Sequence, residues 1–418
     1  MPDSLIANPF IQFHRLTDDD SKILLTAPKP GEGLQTLTVF HSDNANIFDV
    51  FSDLSETRFD FLDADIDLNK AERDLLQKSG ILVAAVTKIE KPLFSCNLED
   101  VETLAGSADT TNLIVNPTFR YEPFDLSKFV ILAQERHLSP YRPTVWIENP
   151  VTKIEFGYWL GASDAEIVSK FTAGESLREG INETLLRGLI KADILVSDDS
   201  LSLKKQEWNK SIVDASSHFN DSGYAVVRGL FPPGQMRSMR EYYRQHVDQG
   251  FMPFGDSQVE RRYREHNEPF AAFLHGQFSH LMGMVVGEEV KLSYVYAASY
   301  KDGSILTPHT DREQCEYSVS FQVDYQPEPV NQVSPWAIFV EPLRYTGELS
   351  PHGVSVEWDD LESAKSGKQP TPIHLASGDG LIYKGRELVH YRHALPQGHQ
   401  STSLFFHFVA KDFGGNLR

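Results

Sequence analysis

Only two cysteines, Cys96 and Cys315, stand in the 418 residues of this chain. Two thiols in so long a chain make no disulfide framework, which excludes the small cross-linked secreted scaffolds. Basic residues are also in short supply. The chain has 39 Lys and Arg against 59 Asp and Glu, a formal net charge of -20. Nucleic-acid affinity rests on cations that neutralise phosphates, so neither a nucleic acid nor an anionic membrane surface is the expected partner. Long apolar runs are missing too. No stretch approaches the ~18 uninterrupted apolar residues of a membrane span. The opening Met1-Pro2-Asp3-Ser4-Leu5-Ile6 has no basic segment leading into an apolar one. The expectation is a cytoplasmic protein whose acidity serves solubility, with a basic peptide as the sharper alternative partner. A hydrophobic content of 40% is ordinary for a globular protein. The length predicts two or three domains.

What is there divides at about residue 204. In the first part, Leu37-Thr38-Val39-Phe40 reads as a strand and Ile47 to Phe51 begins a helical pattern. Residues 68–79 form an amphipathic helix with Asn69 as cap, Gly80 as stop and an apolar strand from Ile81 to Val86. A similar order returns later. Val145 to Ile147 and Ile154 to Leu160 are strand-like, 175–191 is helical, and Ile194 to Val196 is again a strand. Leu76-x-Lys78-x-x-Ile81-Leu82-Val83 has the form of Leu189-x-Lys191-x-x-Ile194-Leu195-Val196. The pattern suggests two related α+β modules, at about 35–97 and 140–200. Each resembles the winged-helix-like peptide-recognition modules of enzymes that modify ribosomally made peptides. Ser197 to Leu203 reads as a linker.

From 205 to 418 the character changes. Gly223 to Phe231 is a strand closed by Pro232-Pro233-Gly234, and Gln235 to Val247 is a polar helix. Short strands then dominate, at Lys291–Tyr300, Glu316–Tyr325, Trp336–Val340, Leu381–Tyr383 and Ser403–Val409. Such spacing suggests a sandwich or barrel. Within it lies Pro308-His309-Thr310-Asp311. Residues i and i+2 of an extended chain point to one side, so His309 and Asp311 can reach one metal. A third ligand is available in His390, which follows the turn Gly378-Asp379-Gly380 and an apolar strand; His393, His399 and His407 compete for the role. Two histidines and one carboxylate leave coordination positions open, as in the facial triad of non-haem Fe(II) oxygenases.

The order of His-x-Asp, Gly-Asp turn, apolar strand, His390, Gly398 and final strand resembles the Fe(II)/2-oxoglutarate dioxygenase superfamily, in its prolyl-hydroxylase-like and phytanoyl-hydroxylase-like branches. The resemblance covers about half the chain. It implies a double-stranded β-helix, or jelly roll, with Fe(II) on His309, Asp311 and His390, 2-oxoglutarate as co-substrate, and O2. It selects His390 because that residue precedes Gly398 by the family's interval. It also exposes a departure. Where the family places an Arg or Lys for the 2-oxoglutarate carboxylate, this chain has His399 and Gln400. His399, Arg392 or Arg386 is expected to serve instead, with Tyr300 or Tyr325 as the tyrosine at the co-substrate; the alternative is a co-substrate other than 2-oxoglutarate. Related halogenases lack the carboxylate, so Asp311 favours hydroxylation or desaturation over halogenation. The substrate is expected to be a peptide held by the N-terminal modules, or else a small molecule. A non-catalytic binding protein of the same fold is the remaining alternative. Arg312, Glu313 and Glu316 flank the motif as candidate substrate contacts.

Overall fold

The computed structural model describes residues 5–7, 12–15, 22–29, 33–54, 68–84, 94–103, 112–123, 143–176, 181–415 and 417. Contacts group the chain into two units, Met1–Pro92 with Arg244–Pro253, and Leu93–Tyr243 with Phe254–Arg418.

The first unit contains strands β1 (Leu5–Ala7), β2 (Gln12–Arg15), β3 (Lys22–Lys29) and β4 (Gly33–Phe40), helices Ala45–Leu54 and Lys70–Lys78, and β5 (Leu82–Ala84). β2, β3 and β4 form an antiparallel meander, and β5 pairs antiparallel with β1. Ile23, Leu25 and Ala27 alternate along β3 into a core shared with Val39, Ile47, Phe51, Leu76 and Ile81. As its sequence predicts, Asn69 caps the second helix: its side chain accepts from Glu72 N while the Glu72 carboxylate accepts from Asn69 N. Residues 85 and 86 of the expected strand lie outside the described residues.

The second unit opens with helix Leu98–Glu102 and then runs through the same sequence of parts. β6 (Leu113–Val115) is followed by β7 (Arg120–Glu122), β8 (Thr144–Glu148) and β9 (Glu155–Trp159), helices Ala162–Val168 and Glu183–Lys191, and β10 (Leu195–Ser197). β7, β8 and β9 form the meander, and β10 pairs antiparallel with β6. The two modules agree down to single bonds. Ile81 N donates to Leu76 O and Ile194 N donates to Leu189 O, each at 2.9 Å. The turn before each strand needs a residue with positive φ, Gly80 at 74° in one copy and Asp193 at 55° in the other. A further parallel stands in the sequence: Ile6-x-Asn8-Pro9 and Ile114-x-Asn116-Pro117. Asn116 is buried, and its amide donates to Glu148 O and Asp193 O.

Two expectations need correction. Residues 197–203 are no linker: Asp198–Ser222 is one helix of 25 residues, ended by Gly223 at φ 80°. Acidic Asp199 at its start suits the helix dipole, which the reading of Ser and Asp as loop residues overlooked. The contact boundary also falls after Pro92 rather than after residue 204. The second module is bound into the C-terminal sheets by aromatic packing. Phe94 stacks on Phe270 with centroids 4.0 Å apart, Phe156 packs on Phe231, and Gln235 donates to the buried Tyr158 hydroxyl at 2.7 Å. A chain beginning at residue 93 is therefore expected to stay folded, whereas one beginning at 205 strips Phe156 from Phe231 and Phe94 from Phe270 and aggregates. Size-exclusion chromatography and near-UV dichroism of the two truncations check this.

The rest of the second unit holds β11 (Tyr224–Val227), helix Pro233–Asp248, which continues into the first unit, β12 (Arg262–His266), helix Pro269–Val286, β13 (Val290–Lys301), β14 (Leu306–Thr310), β15 (Tyr317–Gln326), β16 (Ile338–Arg344), β17 (Val354–Ser355), helix Glu362–Ser366, β18 (Thr371–Ile373), β19 (Gly380–Tyr383), β20 (Leu388–Arg392) and β21 (Gln400–Ala410). They build a six-stranded sheet in the order β11-β19-β15-β21-β13-β12 and a five-stranded sheet β17-β14-β20-β16-β18, each antiparallel throughout. The sheets face each other, since Ile338, Val340 and Leu388 of one share a core cluster with Leu381 and Tyr383 of the other. On the far side of the six-stranded sheet, Phe321 and Phe406 pack against Phe278 of the helix Pro269–Val286. That helix buries one face, from Phe270 through Leu274, Phe278 and Met282 to Val285, but Ala272 and Gly276 on its outer face blunt the amphipathic contrast in the sequence.

Candidate metal centre

Strand pairing brings the motif together. β14 and β20 are antiparallel neighbours, and His309 lies directly opposite His390 in their register. A bulge between Leu306 and His309 resets the alternation, so that both Leu306 and His309 turn toward the space between the sheets. The imidazole centroids are 4.4 Å apart. Asp311, one residue beyond β14, places Oδ1 at 3.6 Å from His309 Nε2 and 3.5 Å from His390 Nε2.

The other ring nitrogens are spoken for. His309 Nδ1 lies 2.8 Å from Thr307 O, and His390 Nδ1 lies 3.0 Å from Leu388 O. A carbonyl only accepts, so each Nδ1 carries the proton and each Nε2 keeps its lone pair. That tautomer is the one a metal needs, and the two carbonyls fix the orientation of both rings. Asp311 Oδ2 accepts from Ser318 Oγ at 3.1 Å, and Ser318 Oγ contacts His407 Nδ1 at 2.9 Å. Asp311 N donates to Gly385 O at 2.8 Å. Position 385 tolerates no side chain: a Cβ there would lie 2.4 Å from Asp311 Oδ2 and 2.5 Å from Cys315 O. A Gly385→Ala chain is expected to displace the Asp311 carboxylate and weaken divalent-metal affinity at least ~10-fold, the range seen when supports of a ligand are lost; a nickel titration by calorimetry reads it.

Electrostatics favour the ligating forms. Burial works to raise the Asp311 pKa, but His390 and His309 outweigh it and hold the carboxyl well below its usual range. Burial, reinforced by the neighbouring His309, pushes His390 down to about 4. His407 falls to about 3 and His275 to about 4, both mainly through burial. These histidines bind fewer protons folded than unfolded. Their contribution to stability is therefore whole above the ordinary histidine pKa of about 6.5 and is lost as pH falls toward 4. The metal-free protein is expected to lose melting temperature steadily across that window, and melts at half-unit pH steps would reveal a flat profile if the assignment is wrong.

Arg392 follows His390 by two residues on β20 and is fully buried. It donates through Nη1 to Trp336 O at 2.6 Å and lies over the Trp336 ring at 4.5 Å. Its Nε has no partner, and among the described residues it meets no carboxylate. Tyr300 packs edge-on against Trp336, centroids 5.1 Å apart. A second buried guanidinium nearby, Arg262, differs in pairing with Asp256 at 2.6 Å. Burial presses Arg392 down to about 10. Tyr325 shares a core cluster with Tyr300, Trp336 and Leu306, and both tyrosines stand opposite Ser401 of β21. Tyr325 and His399 bond to each other at 2.8 Å. Gln400 opens β21, and His407 stands seven residues further along that strand, about 23 Å away at ~3.3 Å per residue. The metal ligands gather at the His407 end. Arg386 follows Gly385 and has an unpartnered, buried Nε. Arg312 is exposed, with its guanidinium 5.9 Å from the Tyr294 ring.

Sequence reading passed over the polar lining. Ser318, Ser320 and Gln322 share one face of β15, opposite His407, Phe405 and Ser403 of β21. Ser320 Oγ, Gln322 Oε1 and Ser403 Oγ are buried without partners. The Gly-Asp turn serves the fold, because Asp379 accepts from Arg228, Gly229 N and Ala376 N and so ties β19 to the end of β11.

No family model and no curated protein matches the chain. Among solved structures, it is similar to the non-haem α-ketoglutarate-dependent epimerase SnoN from nogalamycin biosynthesis, with 12% identity over 48% of this chain and 82% of that one, TM-score 0.39. It is similar to a Pseudomonas putida prolyl-4-hydroxylase, with 11% identity over 48% and 99%, TM-score 0.35. HygX from Streptomyces hygroscopicus, solved with nickel, 2-oxoglutarate and hygromycin B bound, has 15% identity over 48% and 88%, TM-score 0.37. Likeness at this level fixes neither activity nor substrate. No described helix is long and apolar enough to cross a membrane.

Proposed function

We propose that the chain is an Fe(II)- and 2-oxoglutarate-dependent dioxygenase that hydroxylates a C–H bond, built on a double-stranded β-helix. One observation carries the reading: two Nε2 lone pairs and one carboxylate oxygen converge, with both Nδ1 protons already committed to strand carbonyls. The donor set suits a ferrous ion, and one carboxylate with two imidazoles leaves positions for a chelating co-substrate and O2. When bound, the iron and 2-oxoglutarate supply an oxidant for unactivated C–H bonds, with succinate and CO2 as co-products.

The chain's own residues do the rest. His309, Asp311 and His390 hold the metal at one end of the sandwich. Arg392 offers an unpaired buried guanidinium two residues from a ligand, the complement of the distal 2-oxoglutarate carboxylate. Tyr300 and Trp336 brace that guanidinium. The unpartnered hydroxyls of Ser320 and Ser403 and the Gln322 carbonyl give the interior polar contacts for a bound acid, and the surrounding apolar clusters keep bulk water out. Anaerobic addition of Fe(II) and 2-oxoglutarate tests the reading. A weak visible charge-transfer band that His309→Ala abolishes supports it; well-folded protein without the band overturns it.

The substrate we favour is a peptide, held by the winged-helix-like modules in a cytoplasmic setting. The repeat of one strand-and-helix order in two modules is what supports it. The second module's β9 is not open for strand addition, because Trp159 N donates to Cys96 O and the Gln277 amide meets Glu155. The first module is therefore the one assigned to the peptide. A chain lacking residues 1–92 that turns over its substrate unimpaired would favour a small-molecule substrate instead.

A further inference from the structure

Asp311 presents its two oxygens to different neighbourhoods. Oδ1 faces His309 and His390, whereas Oδ2 faces Ser318 and, through it, His407. On this second side a carboxylate oxygen of Asp311, the Cys315 sulfur and a ring nitrogen of His407 all lie within 4.8 Å of one another. We propose that Asp311, Cys315 and His407 form a second metal pocket, sharing Asp311 with the first and taking a thiophilic divalent cation of the zinc class.

The fold creates this convergence. A single 3-10 turn, Glu313–Cys315, leads back from Asp311 toward β15, and the β15–β21 register sets His407 opposite Ser318. Both Cys315 and His407 are buried, 2% and 6% exposed. Without metal their polar atoms are satisfied by neighbours: Cys315 Sγ meets Tyr294 Oη at 3.1 Å, and His407 Nδ1 meets Ser318. A cation entering here exchanges those hydrogen bonds for metal–sulfur, metal–nitrogen and metal–oxygen bonds. The thiol proton leaves to solvent, so loading tightens as pH rises. Thiolate and imidazole together select zinc-like ions over magnesium or calcium, which want oxygen. Because Asp311 serves both pockets, zinc bound here draws the carboxylate from the first site and opposes ferrous loading.

Cobalt(II) under anaerobic conditions is the probe, since a bound thiolate adds a near-ultraviolet sulfur-to-cobalt band that imidazole and carboxylate ligands lack. The expected result is that band in the full chain, its loss in Cys315→Ser and in His407→Gln, and its survival in His309→Ala. Using two variants guards against either one misfolding, and far-UV dichroism monitors both. Bound cobalt without the sulfur band overturns the second pocket and leaves the first site standing. A band that persists in folded Cys315→Ser also overturns it. A sulfur band with no further cobalt lost in His309→Ala upholds the second pocket and removes the first. No bound cobalt at all removes both.

Discussion

Replacing Asp311 with alanine is expected to reduce divalent-metal affinity by more than ~100-fold, because even the outer supports of metal ligands are worth about 10–100-fold. The size of the effect follows from the carboxylate's position. Its Oδ1 stands between the Nε2 atoms of two imidazoles, and it is the sole carboxylate among the three residues. The carboxyl is held well below its usual range there, so it carries its charge at neutral pH. Without it, two neutral nitrogens alone face the cation. Activity with Fe(II) should fall to background. Asp311→Asn preserves shape and removes charge, so a nearly wild-type calorimetric nickel affinity in that variant would contradict the role given to the charge.

Arg392→Met is expected to separate stability from binding. The side chain is a buried cation that meets no carboxylate among the described residues, an arrangement unfavourable in a low-dielectric interior. Methionine of similar length relieves the desolvation while keeping contact with Trp336. The melting temperature of the variant should therefore be equal to or above that of the parent. Its half-saturating 2-oxoglutarate concentration should rise at least ~100-fold, since two charge-assisted hydrogen bonds at about 1.5–3 kcal/mol each are lost. If half-saturation hardly moves, the anchor lies elsewhere, and the same measurement on His399→Gln would ask whether it lies there. A sharp fall in melting temperature would instead make Arg392 a structural group.

Some of this was legible in the sequence, and the reason differs from residue to residue. His309 and Asp311 were visible because a two-residue spacing on a strand has one meaning. The Gly-Asp turn before His390 was visible because Asp379 staples a particular corner, and that requirement is local. The capped helix at Asn69 was visible for the same reason. What could not be read depended on how distant strands align. His399 and Gln400 stand where the family pattern puts a cation, yet β21 carries them to the opposite end from His407. Arg392 takes its place beside the site from the register of β20. The convergence of Cys315 with His407 likewise needs β15 and β21 in register. The helix Pro269–Val286 escaped because small residues such as Ala272 and Gly276 on its exposed face blunt the periodicity, and the helix Asp198–Ser222 because its polar opening imitates a loop.

The pairing of His309 with His390 has a mechanical side. Both ligands occupy one rung of the β14–β20 ladder, so a bound metal closes a clasp across that rung. Slipping either strand by one residue would swing one imidazole to the opposite face of the sheet and undo the clasp. Metal loading should therefore slow amide exchange along β14 and β20 more than along β13 or β12. The ion would act as a pin that holds the alignment by which its own cradle was made.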